Sequence, residues 1–156
     1  MNEAAEWQWQ FLCFKSEREG CPVQSWFDGL PDDAQDEIRD LLGYLRIKTK
    51  SKWEKPSFDP LAGEGGISEL RPGKISREES GVIKTYTYRI YGFRGPREFE
   101  HSYTFLHGND KNVRNDKDGK RIAKERLVQI ERREATVCEF QERADSQIDE
   151  EQGREN

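Results

Sequence analysis

The stretch "VIKTYTYRIYGFRGPREFEHSYTFLHG", residues 82–108, restricts the fold more than any other part of the chain. β-Branched and aromatic residues fill two runs, 82–92 and 97–108, separated only by "GFRGP". A parallel crossover needs a dozen or more residues, so these runs must be antiparallel neighbours joined by a tight turn. A shorter alternating run, "ISELRP" at 67–72, precedes them across the polar connection "GKISREESG". Near the start, "EWQWQFLCF" at 6–14 puts Trp7, Trp9 and Phe11 on one side and is predicted as an edge or outer strand.

Helical signals flank the strands. "PVQSWFDGL" opens on Pro22, which suits a first helical position, and closes on Gly29. "PDDAQDEIRDLLGYLRIKTK" is the clearest helix. Asp32 and Asp33 match the positive end of the helix dipole, and Ile38, Leu41, Leu42 and Leu45 recur at helical spacing. Residues 51–66 are rich in Pro and Gly and predict a loop. Residues 118–134 predict a last helix through Ile122, Leu127 and Ile130. The order β-α-α-β-β-β-α predicts an α+β fold. Its small antiparallel sheet carries an N-terminal helical hairpin on one face, with a C-terminal helix at the end. One domain over 1–140 and an acidic, disordered tail over 141–156 are expected.

Hydrophobic residues make up only 33% of the 156, but 8 Phe, 5 Tyr and 4 Trp give a compact core enough area to bury. No apolar run approaches the length of a membrane span, and "MNEAAEWQWQ" lacks the layout of a signal peptide. A soluble, cytoplasmic chain without membrane contact is expected. Cys13, Cys21 and Cys138 have no paired-ligand spacing and the chain has only 2 His, so neither metal nor cofactor is expected. The net charge of −5 conceals an asymmetry: −7 over residues 1–42, +7 over 43–134 and −5 over 135–156. The basic middle reads either as an ordinary mixed surface or as a polyanion site.

Alternation along the strands brings specific groups together. If the faces carrying Leu70 and Ile90 pack on helices, then Arg71, Arg89 and Tyr91 share the opposite, open face. Arginine binds phosphate through a forked pair of donors, and tyrosine stacks on a base or carries a proton. The alternative is cross-strand pairing of Arg71 or Arg89 with Glu69 or Glu100. Arg94, Arg97, Lys111 and Arg114 lie in or beside loops at the strand ends, where they would rim that face with positive charge. His107 reads either as a proton carrier or as the structural end of an apolar strand. Counting by twos from Tyr103 and Phe105 puts it on the aromatic face, away from Arg89, unless the strand bends.

The motifs in order resemble the RelE/ParE toxin superfamily, and within it the HigB-like, phage-derived branch. Phe27 and Leu30 match the segment that opens its helical hairpin. Gly66, Ile67, Glu69, Leu70 and Arg71 match a "G-[LI]-x-E-L-R" strand, and Tyr88, Arg89, Ile90 and Tyr91 match a "Y-R-[IV]-x-Y" strand. Leu106, His107, Gly108, Asn109 and Lys111 match "L-H-G-[FN]-x-K". The resemblance implies the toxin of a type II toxin–antitoxin pair, with a cognate antitoxin and ribosome-bound mRNA as partners. It implies a metal-independent endoribonuclease in which a 2′-hydroxyl attacks the adjacent phosphate. Arg71 and Arg89 would clamp that phosphate, Tyr91 would stack or carry a proton, His107 would act as acid or base, and Lys111 would hold the substrate backbone. A homodimer or a toxin–antitoxin hetero-oligomer is compatible with it. The acidic balance, and Asn112 where a second lysine is usual, keep another reading open: a protein of this kind that acts only by binding, as a gyrase inhibitor or an inactive antitoxin-binding copy.

Overall fold

A computed structural model describes residues 8–96, 101–110 and 115–143. The strands are β1 Gln10–Lys15, β2 Phe58–Pro60, β3 Ser68–Leu70, β4 Ile75–Glu79, β5 Val82–Tyr86, β6 Arg89–Arg94, β7 Ser102–Asn109 and β8 Thr136–Glu139. The helices are α1 Pro22–Asp28, α2 Asp32–Arg46 and α3 Lys117–Glu131. Six strands form one sheet in the order β2-β3-β6-β7-β1-β8, and β4 pairs only with β5.

This overturns the expected RelE-like layout, a small antiparallel sheet under a helical hairpin. The sheet is mixed, because β1 runs parallel to β7. Far from lying at an edge, β1 is paired on both sides, with β8 antiparallel on its far flank. The connection "GKISREESG" contributes a strand of its own, β4. The run at 82–92 is two strands, since the chain leaves the β4–β5 ribbon at Tyr86 and joins the main sheet at Arg89. A two-residue turn with positive φ at Ser80 and Gly81 closes the ribbon and leaves Val82 and Ile83 exposed. Arg77 fastens the ribbon to α2 through both Asp33 carboxylate oxygens, at 3.0 and 2.6 Å.

Both faces of the sheet are covered, which is the correction that matters most for function. On one face, Ile38, Leu42 and Leu45 of α2 and Val23 and Phe27 of α1 bury Phe11, Leu70, Ile90, Tyr103 and Phe105. Trp53 joins them and donates its indole N–H to the Leu45 carbonyl at 3.0 Å. Across the sheet, Ala123 and Leu127 of α3 pack on Phe14, Ile67, Tyr91 and Leu106. Among the described residues no helix is long and apolar enough to cross a membrane. Residues 144–156 of the expected tail lie outside the described residues. Its first residues are held: the Gln141 N–H donates to Gln24, and Glu142 accepts from Arg39 and Arg46.

Candidate functional site under the third helix

The face beneath the N-terminus of α3 gathers Arg71, Arg89, Tyr91 and His107 of the groups that the sequence singled out. Glu69 on β3 stands opposite Tyr91 on β6, which stands opposite His107 on β7. One row further along, Arg89 stands opposite Asn109. His107 reaches this face through an irregularity in β7. Tyr91 pairs with His107 while Gly92 pairs with Phe105, so Leu106 is an extra residue without a partner. A bulge of this kind reverses the side-chain alternation downstream. Phe105 therefore faces α1 and α2, whereas Leu106 and His107 both face α3. Gly108 then turns toward α1, where a Cβ would collide with the Trp26 ring.

Glu69 is 3% exposed and anchors both arginines. Arg71 donates Nε to its Oε1 at 3.1 Å and Nη2 to its Oε2 at 3.2 Å, and reaches Asp59 at 3.3 Å. Arg89 approaches the same carboxylate with Nε at 3.5 Å. The Arg89 side chain is 14% exposed and that of Arg71 is 43% exposed. Of the cross-strand pairings left open from sequence, that of Arg89 with Glu69 is present, while Arg71 reaches the same carboxylate from within its own strand segment and Glu100 lies outside the described residues. Hydrogen bonding to Glu69, above all, raises the Arg71 guanidinium above its ordinary value.

Tyr91 is fully buried. Its hydroxyl donates to Asp116 Oδ2 at 3.1 Å, and Asn109 Nδ2 donates to the same oxygen at 2.6 Å. Asp116 also caps α3, accepting the Gly119 N–H on Oδ1 at 3.0 Å. Burial first, and then the charges of Glu69 and Asp116, push the Tyr91 hydroxyl above the usual tyrosine range, while a hydrogen bond from Arg89 acts the other way. A ring with no exposed surface offers a nucleobase no face to stack on. The imidazole of His107 lies parallel to the Tyr91 ring, centroids 6.3 Å apart. Arg126 of α3 donates to the Leu106 carbonyl at 2.7 Å and lies 3.5 Å from His107 Nδ1. Its other arm meets Glu19 at 2.7 Å.

Helix α3 can approach this closely because position 119 is glycine. A Cβ there would lie 2.8 Å from Tyr91 Cε2 and would also strike the Asp116 carboxylate. Gly119→Ala is therefore expected to destabilise the fold by about 1–3 kcal/mol through overpacking, although alanine is the better helix former. Urea unfolding checks this, and a neutral or stabilising outcome would show that α3 can move off the sheet.

Arg94 is not at the rim of this face. It projects to the opposite side, where its guanidinium lies 4.8 Å from the Phe58 ring, 5.4 Å from Trp53 and 5.8 Å from Trp9. Burial pushes its guanidinium below the ordinary arginine value. Arg97, Lys111 and Arg114 lie outside the described residues. Sequence reasoning missed Asp116, Asn109 as a network member, Arg126 and Glu19. For Asp116 a signal was present: an Asp immediately before a helical run is a capping residue. No family model matches the chain, and no curated protein matches its sequence.

Proposed function

We propose that the chain is the toxin of a type II toxin–antitoxin pair and cleaves ribosome-bound mRNA by attack of a 2′-hydroxyl on the adjacent phosphate. One observation carries this reading: Arg89 and His107 occupy diagonal positions on a single face, with Arg71 just beyond β3. Diagonal neighbours on adjacent strands stand about 7–8 Å apart, a gap that a phosphodiester can bridge between two side chains. In this reading Arg89 and Arg71 hold the phosphate and offset charge on the phosphorane. Histidine ordinarily titrates near neutrality, so His107 is the group that moves a proton. Tyr91 and Arg126 set the imidazole plane. Lys111 and Arg114 hold the RNA backbone. Lys117 and Lys120 line an adjoining groove of about 460 Å³, along which the strand continues, with Lys124 and Arg121 there paired to Glu64 and Glu125. An antitoxin covering this face would silence it.

Induced expression is expected to arrest growth and to produce new mRNA ends by primer extension, both lost in Arg89→Ala and His107→Ala. Wild-type expression without arrest or new ends would sink the reading. One observation favours a second reading: Glu69 already offsets much of the charge on both arginines. A face so neutralised suits a protein partner, an antitoxin or gyrase, with no cleavage. Toxicity that survives Arg89→Ala without new mRNA ends would select that second reading.

A further inference from the structure

We propose that Cys21 and Cys138 form a reversible dithiol–disulfide site, with Cys138 the sulfur that is oxidised first. Three thiols that are scattered in sequence meet where β1, β8 and the start of α1 converge. Cys13 and Cys138 are directly opposite across β1 and β8. Cys21 precedes the first turn of α1, and its Sγ lies 3.0 Å from that of Cys138, 117 positions away. A clamp three residues further along each segment holds the two together. Gln24 donates to the Gln141 carbonyl at 2.9 Å and accepts the Gln141 N–H at 2.8 Å. Closing a bond of about 2.05 Å asks the sulfurs to approach by roughly 1 Å, a side-chain adjustment.

The three sulfurs are not equivalent. Cys13 is fully buried, and its thiol is raised by the neighbouring Cys138 and by burial, so it stays protonated. The adjacent Cys13 thiol above all, with help from Cys21 and Lys15, lowers Cys138 to about 6. Cys21 is raised to about 11, chiefly by burial. Of this pair Cys138 is therefore the readier thiolate, and the thiolate is the nucleophile. Cys138 also borders an open groove with Phe11, Arg46 and Phe140, while Cys13 is sealed from it. The oxidant is hydrogen peroxide. The Cys138 thiolate attacks one peroxide oxygen: an S–O bond forms, the O–O bond breaks, and hydroxide leaves to take up a proton as water. The Cys21 sulfur then displaces the sulfenic hydroxyl: the S–S bond forms, the S–O bond breaks, and the Cys21 proton departs in a second water. Two electrons pass from the thiols to the peroxide, and a small thiol reverses the reaction.

The experiment treats the full-length protein with hydrogen peroxide and maps it by non-reducing digestion and mass spectrometry. A Cys21–Cys138 cross-linked peptide is expected in a monomer, with titratable thiols falling from the 3 present to one and returning on reduction. In the untreated protein, iodoacetamide should label Cys138 before Cys21, and at a pH below that at which an ordinary thiol reacts. In Cys21→Ser the Cys138 sulfenic acid should persist and be trapped by dimedone. A Cys13–Cys138 link, an intermolecular dimer, prior labelling of Cys21, or three intact thiols after peroxide would each overturn the proposal. The decisive readouts use the wild-type chain, so a variant that fails to fold leaves the test intact.

Discussion

Glu69→Ala is expected to cost up to about 3–5 kcal/mol of folding free energy, because it removes the buried carboxylate that Arg71 and the half-buried Arg89 share. Arg89 is 14% exposed and faces the Glu69 carboxylate at 3.5 Å. Arg71 suffers less, since 43% of its side chain reaches water and Asp59 remains within 3.3 Å. Domains of this size are stable by only about 5–15 kcal/mol, so the variant should unfold at a much lower urea concentration. Glu69→Gln keeps an acceptor and should fall between the two. The double replacement Glu69→Leu with Arg89→Met removes both charges and should recover much of the loss, because an apolar pair needs no compensation. A loss under about 1 kcal/mol for Glu69→Ala, within the range of an exposed ion pair, would show that Arg89 finds another counter-charge or reaches water.

That same pair shows how far the sequence carried. The alternation of "SELRP" and "YRIYG" placed Arg71, Arg89 and Tyr91 on one face, and the register agrees. What alternation lacks is the third dimension. It gives a face but not what covers it, so nothing local announced that α3 would seal Tyr91. The parallel pairing of β1 with β7 is likewise non-local: its partners are about 90 residues apart, and period-two patterning is blind to partner choice. β8 was invisible for a different reason. Thr136–Glu139 is four residues long and has no fully buried side chain, so its apolar signal is weak.

The helices were legible because their signals are local. Asp32 and Asp33 occupy the first turn of α2, and Ile38, Leu41, Leu42 and Leu45 form its buried stripe. Pro22 opens α1. His107 marks the boundary of this legibility. Counting by twos from Phe105 fails at one inserted residue, Leu106, and a bulge has no dependable sequence mark. Its position beside Tyr91 follows from the pairing register, which is a property of two strands and not of one.

The second large effect is expected at Asp116, where one carboxylate serves three elements. Asp116→Ala removes the α3 cap, worth about 1 kcal/mol, and leaves the Tyr91 hydroxyl and the Asn109 amide without this acceptor, each costing about 1–3 kcal/mol when buried. The expected loss is about 3–7 kcal/mol, measured by urea unfolding, with faster hydrogen exchange at the Gly119 amide. Asp116→Asn keeps one oxygen and can cap α3, but that oxygen cannot serve all three donors at their present positions, so it should lose less. The two components separate experimentally. If Asp116→Ala costs only the value of a cap, then water satisfies Tyr91 and Asn109, and the face beneath α3 admits solvent beside His107. If the full loss appears, the network is dry, and His107 is held against a rigid tyrosine whose orientation depends on a residue twenty-five positions away in sequence.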